Sequence, residues 1–444
     1  MVTYNVGIKA GYLVPMSEKG LYLENYFVGI KDGLIVAVKP FHSRDKLKCR
    51  KFFDFTHHIV LPGLINAHTH LAMVLFRGLE DDLNLQSWLF DKIFPLEKHF
   101  VTQSFVELGT RLAAFECIRF GTTCVADMYF YPEVGLKVWE EMGLRGTFGQ
   151  PLISFPSPEA PEVDNARLFQ KFETLFTVYR NHPFLSVSLA PHAPYSCDLN
   201  LLNAVAAVQK RTNCLVQIHL SETAQEVQEI KAKYNKSPVQ FLDEIGLLNP
   251  RTICAHVVHT QEEDRATLAK KGCHVVHNPD SNFKLGSGIA PIGEYLRYQI
   301  NVALGTDGAA SNNDLSLFGA LDLSAKGQKV FAKDISQFTA WDALWAATRG
   351  GAKALGLEHV TGQISEGYSA DLIVVDTRFP HLVPISDPVS HLVYATQGLE
   401  VDTTIVRGRV LMHDKKIIPK GYDAVRVKAQ KLRKQMVTFL KDQK

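Results

Sequence analysis

No apolar run in this sequence approaches the roughly 18 to 20 residues that a membrane-spanning helix needs. The stretch from Met1 to Gly20 also lacks the cationic and then apolar layout of a secretory leader. Charge of one sign is not in surplus. With 48 basic against 46 acidic side chains, the formal net charge is +2, which gives no electrostatic reason to expect nucleic acid or an anionic membrane as a partner. Cysteine is sparse and unpatterned: Cys49, Cys117, Cys124, Cys197, Cys214, Cys254 and Cys273 include no Cys-x-x-Cys pair. That excludes a disulfide framework and a cysteine-based zinc site, and leaves small buried hydrophobes in a reducing compartment. The expectation is a soluble, cytoplasmic protein. Low-complexity segments and internal repeats are absent too.

What is present is enough apolar material, 46% of 444 residues, for a large core in two structural parts. Asn25 to Ile30 and Leu34 to Val38, joined through Lys31-Asp32-Gly33, predict a hairpin with Asp-Gly at its turn. From Ile59 short apolar runs alternate with helical segments until about Leu357. Eight strands are predicted: Leu61 to His68, Thr123 to Asp127, Gly146 to Gln150, Phe184 to Ala190, Cys214 to Leu220, Thr252 to His256, His274 to His277 and Val302 to Asp307. Between them lie amphipathic helices, one with Phe105, Leu108, Leu112 and Phe115 on a face. This alternation predicts an α/β fold, a (β/α)₈ TIM-type barrel over residues 61–360. Strand-type residues return at Asp371 to Asp376 and Thr403 to Arg407, before a charged helix from about Asp423 to Lys441. Residues 1–60 and 361–444 are therefore expected to form a small β-sandwich from both chain ends, the latter also carrying the terminal helix.

In such a barrel the chemistry sits at the C-terminal ends of the strands. The first predicted strand ends in His68-Thr69-His70, whose imidazoles, two residues apart, face the same way in extended chain. Others end in His219, His256 and Asp307. Neutral imidazole and carboxylate are typical zinc ligands. Taken singly each residue has a plainer role. His-x-His is weak evidence among 17 histidines, His219 or His256 could be a hydrogen-bonded core histidine, and Asp307 could cap a helix. Their coincidence at one end of different strands favours a metal.

The segments Pro62-Gly63-Leu64-Ile65-Asn66-Ala67-His68-Thr69-His70, His219 with Glu222, Ala255-His256 and Gly305-Thr306-Asp307-Gly308-Ala309 resemble the amidohydrolase superfamily. More narrowly they are similar to its 5′-methylthioadenosine/S-adenosylhomocysteine deaminases. Gly362-Gln363-Ile364 through Gly367 to Ala370-Asp371 is similar to the superfamily's entry into its C-terminal β-domain. The resemblance implies that His68, His70, His219 and Asp307 bind one divalent metal, usually zinc, with Glu222 and His256 beside it. Two-metal relatives carry a carbamylated lysine on strand 4. Phe184 to Ala190 has no lysine, so a single metal is expected. Iron, manganese or cobalt would suit the same donors, so the sequence does not fix the metal.

Zinc lowers the pKa of bound water to about 7, and the hydroxide so formed needs an electrophilic carbon. The amino-bearing carbon of an aminopurine becomes one when the adjacent ring nitrogen is protonated. Glu222, three residues beyond His219, is placed as the proton shuttle, with Asp307 and His256 holding the nucleophile. Alone, Glu222 would read as a first-turn helix acid. The long segment Leu71 to Phe100 is expected to be a lid or binding wall. It contains Trp88, suited to packing on a purine, and Glu97, which the resemblance assigns to the ribose diol. Without that resemblance these would be a core tryptophan and a solvated glutamate. His192, between Pro191 and Pro194, is implied as a substrate contact. Some relatives place arginines at the end of strand 3. Here that end is Gln150-Pro151, followed by uncharged Ser154-Phe155-Pro156, so a small or thioether 5′ group is expected over a zwitterionic homocysteine tail.

The expected activity is metal-dependent hydrolytic deamination of an adenosine-type nucleoside: 5′-methylthioadenosine, adenosine or S-adenosylhomocysteine. Another aminated or chlorinated ring (guanine, a pterin, a cytosine-like ring, a triazine) is the alternative on the same scaffold. The base-flipping zinc deaminases, with His-x-Glu and Pro-Cys-x-x-Cys, are excluded because no such pair occurs. A small-molecule partner is expected, with no nucleic acid and no membrane. The sequence leaves a homo-oligomer open.

Overall fold

A computed structural model describes residues 3–442. Two sheets organise it. The first contains β1 (Tyr4–Leu13), β2 (Leu23–Lys31), β3 (Leu34–Pro40) and β4 (Cys49–Pro62). The second contains β5 (Leu64–His70), β6 (Thr122–Met128), β7 (Arg145–Leu152), β8 (Leu185–Pro191), β9 (Val216–Leu220), β10 (Thr252–His256), β11 (His274–His277), β12 (Asn301–Leu304) and β13 (Asp307–Gly308). Then β14 (Leu372–Asp376), β15 (Val401–Val406), β16 (Arg409–His413) and β17 (Lys416–Ile417) rejoin the first.

The eight-stranded mixed sheet runs β17-β16-β15-β14-β4-β1-β2-β3, so β14 lies antiparallel to β4 and joins the two chain ends. Its core draws on both, with Ile8, Val28, Phe55, Val374 and Ile405 buried together. The predicted hairpin is β2–β3. Asp32 and Gly33 at its tip have φ of 52° and 83°, the left-handed pair a type I′ turn needs.

The parallel nine-stranded sheet runs β12-β11-β10-β9-β8-β7-β6-β5-β13. Its two edge strands are consecutive pieces of chain, separated by Gly305 and Thr306, and β13 pairs with β5 through Asp307 opposite Thr69. The sheet thus closes into the expected barrel. All eight predicted barrel strands are present, with two corrections. Leu61 and Pro62 belong to β4 rather than to the first barrel strand: Pro62, with no N–H, ends one sheet and Gly63 turns the chain into the next. The eighth strand is broken at Gly305, where a Cβ would stand 2.4 Å from Asn278 Oδ1 and 2.8 Å from the His68 carbonyl oxygen.

The helix Gln103–Arg119 is also as predicted, and Phe105 and Phe115 of its predicted face are buried. Val106, Gly109, Ala113 and Cys117 are buried beside them, whereas Leu108 and Leu112 are only partly buried. Small residues occupy this second stripe where the helix lies against Ala72, whose carbonyl oxygen would be 2.6 Å from a Cβ at Gly109.

By packing, the chain forms two compact units. One holds the chain up to Asn66, Phe115–Cys124 and Ser316–Lys420; the other holds Ala67–Ala114, Val125–Leu315 and the chain from Gly421. Among the described residues no helix is long and apolar enough to cross a membrane. All seven cysteines are free, and all but Cys49 are buried.

Candidate metal centre and active-site pocket

The C-terminal strand ends bring five donors together within the second unit. His68 and His70 close β5, His219 lies in β9, His256 ends β10 and Asp307 begins β13. Single donor atoms of His68, His219, His256 and Asp307 lie within 4.8 Å of one another. His70 Nε2 stands 3.0 Å from Asp307 Oδ1 and 3.3 Å from His219 Nε2, and His68 Nε2 is 3.4 Å from Asp307 Oδ1. These separations suit donors sharing one ion: ligands about 2.0 to 2.1 Å from a tetrahedral centre are about 3.3 Å apart.

Hydrogen bonds on the far sides of these rings aim the donors inward. His70 Nδ1 donates to the Met128 carbonyl at 2.6 Å and His219 Nδ1 to the His192 carbonyl at 2.7 Å. His256 Nδ1 faces Asn282 Oδ1 at 2.7 Å. Ser281 and Ser311 hydroxyls donate to Asp307 Oδ2 at 2.7 and 2.6 Å. What is left over is telling. His68 Nε2, His256 Nε2 and Asp307 Oδ1 are buried without a hydrogen-bond partner. Buried polar atoms seldom go unpaired, and a divalent cation satisfies His68 Nε2 and Asp307 Oδ1, with His256 Nε2 facing the same centre, while the outer bonds of His70, His219 and Asp307 fix their orientation. The residues present therefore fit one metal ion.

Electrostatics agree. Burial alone would raise the Asp307 carboxyl, yet the imidazoles of His68 and His70 hold it well below the usual carboxylate range. Burial takes His68 down to about 4 and drives His219 well below its ordinary value, leaving neutral imidazoles able to bind a metal. Burial also disfavours a charged His70, but the adjoining Asp307 overrides it and lifts His70 to about 9, a measure of how strongly this corner attracts positive charge.

The local backbone is strained where the chemistry gathers. Ser221, His256, Val257 and Asp307 have φ of 52°, 71°, 46° and 59°. Left-handed conformation is costly for residues with a Cβ, and worse for a β-branched one like Val257. These turns let each strand end direct its side chain over the barrel mouth.

Above the donors opens a pocket whose lining includes His70, His219, His256, Glu222 and Asp307. Glu222 is buried, 3.7 Å from His256 Nδ1, and accepts from the Ser287 hydroxyl at 3.3 Å; burial raises its carboxyl. All three further predicted contacts also line this pocket: Trp88, Glu97 and His192. The segment after β5 supplies a short 3₁₀ stretch, Leu71–Phe76, and then Ser87–Ile93 and Phe94–Phe100, a helical wall carrying Trp88 and Glu97. Glu97 is buried rather than solvated. Burial pushes its carboxyl up to about 7, against the lowering effect of the Tyr129 hydroxyl that donates to Oε1 at 2.8 Å. His192 Nδ1 is 2.7 Å from Ser196 Oγ, and burial takes its ring down to about 3, so it meets a ligand uncharged.

Sequence reasoning missed Tyr129, Asn282, Ser281 and Ser311. Only Tyr129, just beyond the predicted strand ending at Asp127, was within reach of the strand-end rule. Ser281 and Asn282 lie in the short helix Pro279–Lys284 and Ser311 in a turn, both beyond strand ends, and their direction is not revealed by the sequence.

A model of the amidohydrolase family matches residues 59–411. A 5-methylthioadenosine/S-adenosylhomocysteine deaminase of Syntrophobacter fumaroxidans is 42% identical over 416 residues, 94% of each chain. A 5′-deoxyadenosine deaminase of Methanosphaera stadtmanae is 40% identical over 373 residues, covering 83% of this chain and 85% of its own. Among solved structures, an adenosine deaminase from Xanthomonas campestris with bound zinc superposes with a TM-score of 0.95 at 35% identity, covering 98% of this chain and 99% of its own. Matched by the family model over residues 59–411 and by a relative 42% identical over 94% of its length, the chain belongs to the amidohydrolase family.

Proposed function

We propose that this protein deaminates an adenosine-type nucleoside by hydrolysis, adding water at the amino-bearing ring carbon and releasing the inosine analogue and ammonia. The observation that carries this reading is Glu222, buried beside the convergent donors, in the same pocket as a buried Glu97. His68, His70, His219 and Asp307 would hold the metal, with zinc as the first choice because a similar deaminase was crystallised with it. Bound there, a divalent metal supplies Lewis acidity that makes water a nucleophile at neutral pH.

The protein's own groups do the rest. Glu222 takes a proton from the attacking water and gives it to the ring nitrogen beside the amino-bearing carbon; its raised affinity for protons suits the exchange. Asp307 and His256 orient the water, and His256 assists protonation of the departing ammonia. Glu97 accepts the ribose hydroxyls, with one oxygen already held by Tyr129. Trp88 packs against the nucleoside and His192 contacts the base or the nearby sugar. Among the described residues no lysine or arginine lines the pocket, while Pro151, Leu152 and Ile153 do. This supports a preference for an apolar or thioether 5′ group over the charged homocysteine tail, whose desolvation would find no partner.

We place the enzyme in the cytoplasm, as a protein that acts on small molecules without nucleic acid or membrane. The near-neutral net charge of +2 and the free thiols support this. The test is metal analysis of purified protein, followed by ultraviolet monitoring of an adenosine panel for the adenine-to-hypoxanthine change. Metal-loaded protein that releases no ammonia from any adenosine offered would remove this reading.

A further inference from the structure

The residues Thr223-Ala224-Gln225-Glu226 spell a helix start, a threonine cap with a glutamate three residues later. In that arrangement the threonine oxygen accepts from the glutamate N–H, and the glutamate carboxylate reaches back to the threonine N–H. Only the first half forms here: Thr223 Oγ1 accepts from Glu226 N at 3.1 Å, opening the helix Ala224–Tyr234. The Glu226 carboxylate goes elsewhere. Oε1 accepts the Ser221 N–H and Oε2 accepts the Glu222 N–H, both at 2.8 Å.

Those two amides form the turn that carries Glu222 off the end of β9. Ser221 is left-handed, with φ of 52°, so the turn does not hold itself without outside support. The Ser221 peptide is gripped from both sides: its N–H by Glu226, and its carbonyl oxygen by the N–H groups of Val258 and His259 at 3.0 and 2.9 Å. The second grip ties the turn to the chain just beyond His256. Capping or a favourable helix dipole would need only an exposed first-turn acid. Glu226 is instead 1% exposed, and burial pushes its carboxyl up to about 8, so the arrangement is held against a cost.

We infer that Glu226 is a positioning residue that clamps the Ser221–Glu222 backbone and so sets the Glu222 carboxylate over the reaction centre. This rests on the reading of Glu222 as the proton shuttle. Glutamine at 226 would turn an –NH₂ toward one of the two N–H groups and open the clamp, and a displacement of about 1 Å in such a group costs about 10²-fold in rate.

The experiment measures kcat, KM, bound metal and thermal stability for Glu226→Gln, Thr223→Ala, Glu222→Gln and the double variant Glu222→Gln/Glu226→Gln. Glu226→Gln is expected to lower kcat about 10²-fold, with KM within about threefold and metal content unchanged. Thr223→Ala, which removes the cap but leaves the clamp, lowers Tm with kcat within about twofold. On the residual rate of Glu222→Gln, the second substitution adds less than about twofold, because the residue it positions is gone. An unimpaired Glu226→Gln, or an equal loss in both backgrounds, overturns the inference. Should Glu226→Gln fail to fold, Glu226→Asp, one methylene shorter, is expected to lose about tenfold in kcat; a folded Glu226→Asp with full kcat overturns it equally. Full activity in Glu222→Gln would instead remove the proton-shuttle reading itself.

Discussion

Glu97 is the residue whose ionisation is most informative, because its carboxyl is buried, sits near 7 and touches no metal ligand by hydrogen bond. If the ribose hydroxyls donate to it, the carboxylate form binds and the protonated form does not. About nine-tenths is ionised at pH 8 and about one-tenth at pH 6, so kcat/KM for a riboside should fall about tenfold between them. Glu97→Gln has no such ionisation. It should lose the charged hydrogen bond, about 1.5 to 3 kcal/mol or roughly 10- to 150-fold in kcat/KM, and show no acid limb near 7. Stability should move the other way. A carboxyl raised from 4.5 to about 7 in the folded state binds more protons folded than unfolded, so its contribution is lost as pH rises from about 4.5 through 7. At pH 8 the cost is about 3 kcal/mol, so Glu97→Gln should melt higher than wild type there and converge with it below about pH 4.5. The assay is a pH series of kcat/KM with 5′-methylthioadenosine, beside thermal melts of both proteins. An acid limb near 7 that persists in Glu97→Gln, or a riboside rate unchanged by the substitution, would refute the assignment.

Other consequences are simpler to read. Chelation should abolish activity and added zinc should restore it, and Asp307→Ala should lower bound metal from about one ion per chain toward none by elemental analysis. A panel of 5′ substituents should give a higher kcat/KM for 5′-methylthioadenosine than for S-adenosylhomocysteine; the reverse order would contradict the uncharged pocket wall. Gly109→Ala should cost about 1 to 3 kcal/mol in denaturant unfolding, since its methyl would meet the Ala72 carbonyl at 2.6 Å.

Much of this protein was legible in the chain itself, and the reason is local. Apolar runs such as Thr252 to His256 are buried on both faces of a parallel strand, so they stand out without any knowledge of neighbours, and the polar residue that ends each run is conspicuous. Hence the barrel, the hairpin at Asp32-Gly33 and the strand-end His68, His70, His219, His256 and Asp307 could all be named in advance. Helix Gln103–Arg119 shows where that logic stops. Its periodicity marks a helix with Phe105 and Phe115 inward, but that the stripe through Gly109 is buried more fully than Leu108 and Leu112 depends on how closely Ala72 approaches.

The sequence alone determined which residues end the strands; the tertiary structure decided where their atoms point. Separation along the chain makes the difference. His68 and Asp307 are far apart in sequence, and only barrel closure through β13 and β5 sets their donors 3.4 Å apart. The same holds for Glu97 and Tyr129, and even for Glu226. Its sequence promises a capping box with Thr223, yet its carboxylate is taken by the Ser221 and Glu222 amides, because the left-handed turn after β9 brings those N–H groups to it. Patterns of polarity record burial, which each residue experiences individually; a hydrogen bond or a shared ion depends on two positions at once, and the fold alone supplies the second.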